Sequence, residues 1–176
     1  MEQTLTSTIT DKTVPIFILG MKNNKVSQYY EKLCIDNFKK FGYNNLNHFE
    51  AIVPETMGNE LTFESHRIYS STNKREWDVV EKAIWYSHYS LWCKCIELNE
   101  TIIVAEHDCM MTKPFTDIVL EHGLFSFAAT TRTSHSIAGV GYIITPKYAV
   151  KMIEKALKIV IKNPCDGFIH GLQIKR

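Results

Sequence analysis

The chain of 176 residues carries 20 Lys and Arg against 19 Asp and Glu, a net charge of +1, with 45% hydrophobic and 22% charged residues. That balance describes one soluble globular domain able to bury roughly 70% of its unfolded surface, and it excludes a global field that would draw the protein to nucleic acid or membrane. Cys34, Cys93, Cys95, Cys109 and Cys165 are scattered and form no C-x-x-C pair, which argues against a disulfide framework or structural zinc and for reduced thiols in a cytoplasmic protein.

Residues 1–12 are polar, lack the basic and apolar regions of a secretory signal, and are expected to be frayed. No apolar run approaches the roughly 20 residues of a membrane helix. Val14-Pro15-Ile16-Phe17-Ile18-Leu19-Gly20 predicts the first strand, with Gly20 allowing a sharp turn. From Val26, apolar residues at Tyr29, Tyr30, Leu33, Cys34, Phe38 and Phe41 predict an amphipathic helix closed by Gly42. A short strand is expected within residues 48–53, cut off by Pro54. Residues 55–73 have no period and read as a long functional loop. Trp77, Val80, Ile84, His88, Leu91, Cys95 and Leu98 then recur at steps of three and four, predicting a helix with one buried face over residues 74–99. His88 on that face reads either as a satisfied core residue or as a functional one.

Residues 101–111 organise the rest. Thr101, Ile102, Ile103, Val104 and Ala105 run without a break into Glu106-His107-Asp108, the pattern of a buried central strand that stops at a site. In open α/β sheets ligands collect at the carboxyl ends of strands, and the strand period of two sends Glu106 and Asp108 to one side. Two hard oxygen donors there suit Mn2+ or Mg2+, ions that keep several waters and also grip phosphate. The plain alternative is an acidic loop in which Asp108 caps the next element.

Past the acids, a short helix is predicted from Lys113 through Ile118, Val119 and Leu120 to Gly123, followed by strands within residues 125–130 and 139–144. Thr145 and Pro146 are a cap and first position for a helix whose core face is Tyr148, Ala149, Met152, Ile153, Ala156, Leu157 and Val160. Lys147, Lys151, Lys155, Lys158 and Lys162 form a row on its other side, read as a solvated face or as a contact for a polyanion. Strands alternating with helices predict a single α/β domain over residues 1–176, a mostly parallel sheet flanked by helices.

Tyr86-Ser87-His88-Tyr89-Ser90-Leu91-Trp92, the strand ending in Glu106-His107-Asp108, Gly141-Tyr142-Ile143-Ile144-Thr145-Pro146 and finally Pro164-Cys165-Asp166 occur in an order that resembles glycosyltransferase family 25. That family includes lipooligosaccharide and collagen sugar transferases, and this chain is similar to its short, phage-like members. The resemblance implies a GT-A fold, a nucleotide-sugar donor, most often a uridine diphosphate sugar, and Mn2+ or Mg2+ held by Asp108, Glu106 and His170. It implies Asp166 as general base and Gly20, Ser87, His88 and Glu106 on the donor side. The acceptor would be a glycan or, given the lysine row with Lys175 and Arg176, a hydroxylated DNA base, and the setting the host cytoplasm if the protein is phage-encoded. His107 stands where the family has Asp, and the chain is short. Both motivate the alternative of a non-catalytic descendant that binds a nucleotide or a partner. His170 also reads as an exposed tail residue, and Asp166 as a turn former after Pro164.

Overall fold

Ile102, Ile103, Val104 and Ala105 are shielded from water on both faces, and the fold is built outward from them. The computed structural model describes residues 8–9, 12–57, 78–115, 118–119, 123–126 and 141–158. Its elements are β1 (Thr8–Ile9), β2 (Ile16–Gly20), α1 (Lys25–Lys40), β3 (Leu46–Glu50), α2 (Val79–Leu98), β4 (Ile102–Glu106), β5 (Ile118–Val119), β6 (Leu124–Ser126), β7 (Gly141–Ile144) and α3 (Pro146–Lys158).

Five strands form one sheet in the order β3-β2-β4-β7-β6. β2 is parallel to both β3 and β4, and β7 is antiparallel to both β4 and β6. Four of the five strands therefore run the same way, with β7 alone reversed, as the expected mostly parallel sheet requires. From β2 the chain goes to β3 on one side and then crosses to β4 on the other. This reversal of strand order opens a crevice at the carboxyl ends of β2 and β4. Register brings the strand ends to within one residue of each other there, Gly20 opposite Glu50 and Leu19 opposite Glu106. The ladder continues one step further, with Ala51 N donating to Gly20 O at 2.8 Å and His107 N to Leu19 O at 3.0 Å.

Alternation along the strands divides the core in two. Ile16, Ile18, Ile103, Ala105 and Ile143 pack with Cys34 and Phe38 of α1. Phe17, Leu19, Ile102, Val104, Tyr142 and Ile144 pack with Trp85, Leu91 and Trp92 of α2 and with Ala149 and Met152 of α3. Each large apolar side chain buried in this way contributes roughly 1.5–3 kcal/mol.

The helices start and stop on local signals. Asn24 caps α1 through its side-chain oxygen, and Gly42 follows the helix at φ +89, the left-handed position that glycine fills freely. Asp78 and Glu81 form a reciprocal capping box at the start of α2, and Asn99 ends it at φ 52. α2 thus begins at Val79; residues 74–77 of the predicted helix lie outside the described residues.

Several expectations are corrected. The buried side chains of α1 are Ser27, Glu31, Cys34 and Phe38, while Val26, Tyr29, Tyr30 and Leu33 are exposed. Two polar residues turn inward because they find polar partners there, which a count of apolar residues does not register. In α2, Val80, Ile84 and Leu98 are exposed, and the middle of the helix is buried nearly all round at Trp85, Tyr86, Ser87, His88, Leu91 and Trp92, because the sheet lies under it and α3 beside it. The helix predicted through residues 118–120 is replaced at Ile118–Val119 by a strand, which pairs antiparallel with Thr8–Ile9. The β-branched residues favour this pairing. Gly20 is not in the left-handed region and makes no sharp turn. A Cβ at Gly20 would lie 2.6 Å from Glu31 Oε2, so the glycine makes room for a carboxylate.

Candidate active site

Glu106 is the last residue of β4, on the α2 face, and its side chain is 30% exposed. Behind it stands His88, fully buried, with Nε2 3.5 Å from Glu106 Oε1. That distance is the long limit of hydrogen bonding, so the contact is chiefly electrostatic, and Nε2 has no closer polar partner among the described residues. The other ring nitrogen, Nδ1, is 3.0 Å from Tyr142 Oη, and the same oxygen accepts from Trp92 Nε1 at 3.0 Å. With Trp92 donating to Oη, the tyrosine hydroxyl can give its own proton to Nδ1, which leaves an Nε2–H to face the carboxylate. Burial by itself would raise the pKa of Glu106, but His88 and the nearby His107 outweigh it and hold the carboxyl below its ordinary value. Glu106 is therefore a fixed, ionised acceptor at the crevice.

Ser87 is buried beside His88. Its Oγ accepts from Ile52 N at 2.9 Å and donates to Ala83 O at 2.9 Å. It ties α2 to the chain leaving β3, so Ser87 and His88 act from the interior as supports of the strand ends.

Asp108 is exposed in the turn that follows β4, a turn closed by Cys109 N donating to Glu106 O at 2.9 Å. The strand stops at Glu106, so this turn, rather than strand alternation, sets the position of Asp108. Burial, Asp108 and Glu106 together push the Cys109 thiol up to about 12. Asn37 of α1 anchors the segment, accepting from Met111 N at 2.7 Å and donating to Met111 O at 3.2 Å. His107 turns to the other face, its ring centroid 6.4 Å from that of Tyr30.

Among the described residues, no group of three or more His, Cys, Asp or Glu is placed to hold a metal ion. A pair of carboxylates is enough for Mg2+ or Mn2+, which keep waters and take further oxygens from a diphosphate. Glu106 and Asp108 fit that requirement in donor chemistry. Asp166 and His170 lie outside the described residues.

A second polar cluster had no place in the reading of the sequence. Gly20 sits at the end of β2, and against it, on the α1 face, Glu31 Oε1 is 2.6 Å from His48 Nδ1 while His48 Nε2 is 3.0 Å from Glu50 Oε2. The signal available was the alternation of His48 and Glu50 at the end of a strand, which places them on one face. Their partner Glu31 lies 17 residues from His48, and nothing local announces it.

No described helix is long and apolar enough to cross a membrane. No curated protein matches the chain. The family model for glycosyltransferase family 25 (LPS biosynthesis protein) matches residues 15–126. That stretch holds Gly20, Ser87, His88, Glu106 and Asp108 and stops before Tyr142 and Asp166. Since it covers well over half of the chain and runs from the first strand of the sheet through β6, the chain belongs to glycosyltransferase family 25 and is a glycosyltransferase.

Proposed function

We propose that this glycosyltransferase takes its sugar from a nucleoside-diphosphate donor, a uridine diphosphate sugar as is most frequent in the family, and passes it to a hydroxyl group of a glycan. The observation that carries the reading is Glu106, held ionised by His88 and His107 at the switch point where a ligand of an open α/β sheet gathers. In the transfer, the bond from the sugar C1 to the diphosphate oxygen breaks and its electron pair leaves on the diphosphate. The acceptor oxygen bonds to C1, and its proton passes to a carboxylate, for which Asp166 is the candidate. Asp108 and Glu106 would hold Mn2+ or Mg2+, with His170 as a further ligand, and the bound ion supplies positive charge against the departing diphosphate. The chain's own contribution is orientation. His88 keeps Glu106 ionised and aimed, Asn37 fixes the segment just past Asp108, and Ser87 holds the chain that leaves β3.

A thermal-shift panel of UDP, CDP, GDP and ADP, with and without Mn2+, on the wild type and Asp108→Ala tests this. Saturation a hundredfold above Kd stabilises a protein by roughly 2.7 kcal/mol, which such a panel resolves. A metal-dependent shift with one nucleotide, lost in Asp108→Ala, is expected. No shift with any nucleotide would replace the proposal with the non-catalytic binding module.

Hydroxylated DNA as acceptor is a second reading, favoured by the exposure of Lys147 and Lys151 on α3 opposite the buried Ala149, Met152 and Ala156. It requires transfer to a hydroxymethylated duplex that weakens steeply with salt. Transfer to glycans alone would remove it.

A further inference from the structure

The cluster on the α1 face leads beyond the donor's diphosphate to its sugar ring. β2, α1 and β3 form a strand–helix–strand unit with a tight loop after its first strand and an acid, Glu50, at the end of its second, level with Gly20. In dinucleotide-binding sheets an acid at this place accepts hydrogen bonds from ribose hydroxyls. This unit has no G-x-G-x-x-G run, so sequence pattern alone does not point there; the geometry of Glu50 does.

Glu50 is held from three directions. Its Oε1 accepts from Lys22 N at 3.0 Å, and its Oε2 lies 3.0 Å from His48 Nε2 and 3.9 Å from Lys22 Nζ. Burial works against its charge, but His48 and Lys22 together outweigh it and keep the carboxyl below its ordinary value. A carboxylate has about four acceptor positions. The two hydrogen bonds, one on each oxygen, leave one position open on each, the pattern that suits two neighbouring hydroxyls. The side chain is 48% exposed, so these positions face solvent.

Its support is rigid. His48 is gripped from behind by Glu31, a nearly buried carboxylate seated where Gly20 has no side chain. The loop between Gly20 and α1 is fastened by Met21 N to Ser27 Oγ at 2.9 Å and by Gln28 Nε2 to Lys22 O. β3 and β4 flank β2, so Glu50 and Glu106 stand about two strand spacings apart, roughly 10 Å, on opposite faces of one edge. A nucleoside diphosphate laid over the end of β2 would span that distance.

We propose that Glu50 is the residue that selects a ribose donor, by accepting hydrogen bonds from its 2′ and 3′ hydroxyls, and that His48 and Glu31 are positioning residues behind it. This rests on the nucleoside-diphosphate reading of the donor site.

The test is calorimetric titration of the full chain with UDP, CDP, GDP and ADP and with their 2′-deoxy counterparts, all with Mn2+. Wild type is expected to bind the ribose form at least about tenfold more tightly than the 2′-deoxy form, since a hydrogen bond to a charged acceptor is lost. Glu50→Ala should bring that ratio close to one, chiefly by weakening the ribose form, and Glu50→Gln should fall between. His48→Asn should lower the ratio too, which a merely structural role would not do. Equal binding of ribose and 2′-deoxy forms by the wild type, or a ratio unchanged in Glu50→Ala, overturns the inference and leaves the donor reading standing. Absence of binding by every nucleotide overturns both.

Discussion

On the α2 face of the sheet Glu106 is backed by a histidine that water does not reach, whereas on the α1 face Glu50 is backed by one whose side chain is 23% exposed. Both pairs hold a carboxylate ionised at the end of a parallel strand, and both histidines are oriented through the second ring nitrogen. His88 leans on Tyr142, itself bonded to Trp92, in the middle of the core. His48 leans on Glu31 at the margin of the other layer. The contrast shows what burial does to a polar relay. In the core its members are also packing, so removing one damages the fold and the site together. At the margin water can replace a lost partner, so orientation is separable from stability.

Four substitutions or conditions probe this contrast. Trp92→Ala empties a fully buried position of the α2 layer and removes the donor to Tyr142, and should cost about 3–5 kcal/mol in urea unfolding. A loss under about 1 kcal/mol would mean that the core does not depend on this relay. Tyr142→Phe keeps the ring but strands Trp92 Nε1 and His88 Nδ1 in the interior, with an expected loss of about 2 kcal/mol by the same measurement.

Acid addresses the carboxylates directly. Glu106 has a folded pKa below its ordinary 4.5, so folding favours the ionised form. Its contribution is complete above about 4.5 and is lost as pH falls from there through the lowered folded value. Urea midpoints between pH 3 and 7 should fall over that acid window in the wild type and fall less in Glu106→Gln. The smallest stability change belongs to His48→Asn, under about 1 kcal/mol, since the pairs it breaks are partly solvated. A loss as large as that of Tyr142→Phe would erase the distinction between the two relays.

Much of the frame was legible in the chain. The central strand, its stop at Glu106, the Thr145 and Pro146 start of α3 and the close of α1 at Gly42 all follow from local hydrophobic runs and breakers. The helix faces were less so. Periodicity assigned Tyr29 and Tyr30 to the core and passed over Ser27 and Glu31, yet Ser27 receives Met21 N and Glu31 meets His48, and these partners satisfy them inside. Likewise, Val80 and Ile84 match the helical period but point to solvent, because α3 and the sheet cover a broad band of α2 around Trp85 and Trp92. The two-residue strand Ile118–Val119 is too short to show a strand period; its partner is Thr8–Ile9, more than a hundred residues earlier. The prediction that Glu106 marks a site stood on local pattern, whereas Glu50 drew no notice, since half of what positions it comes from another element.

The sequence by itself determined the order of strands and helices, the buried central strand and the acids where it stops, because short-range hydrophobic patterning and turn chemistry decide those features. Only the tertiary structure decided that Glu106 and Glu50 stand one residue out of register on opposite faces of one sheet edge, each aimed by a histidine. A buried or half-buried polar group is stable only with its partner in place, and here the partners come from different secondary-structure elements, brought together by sheet register and helix packing.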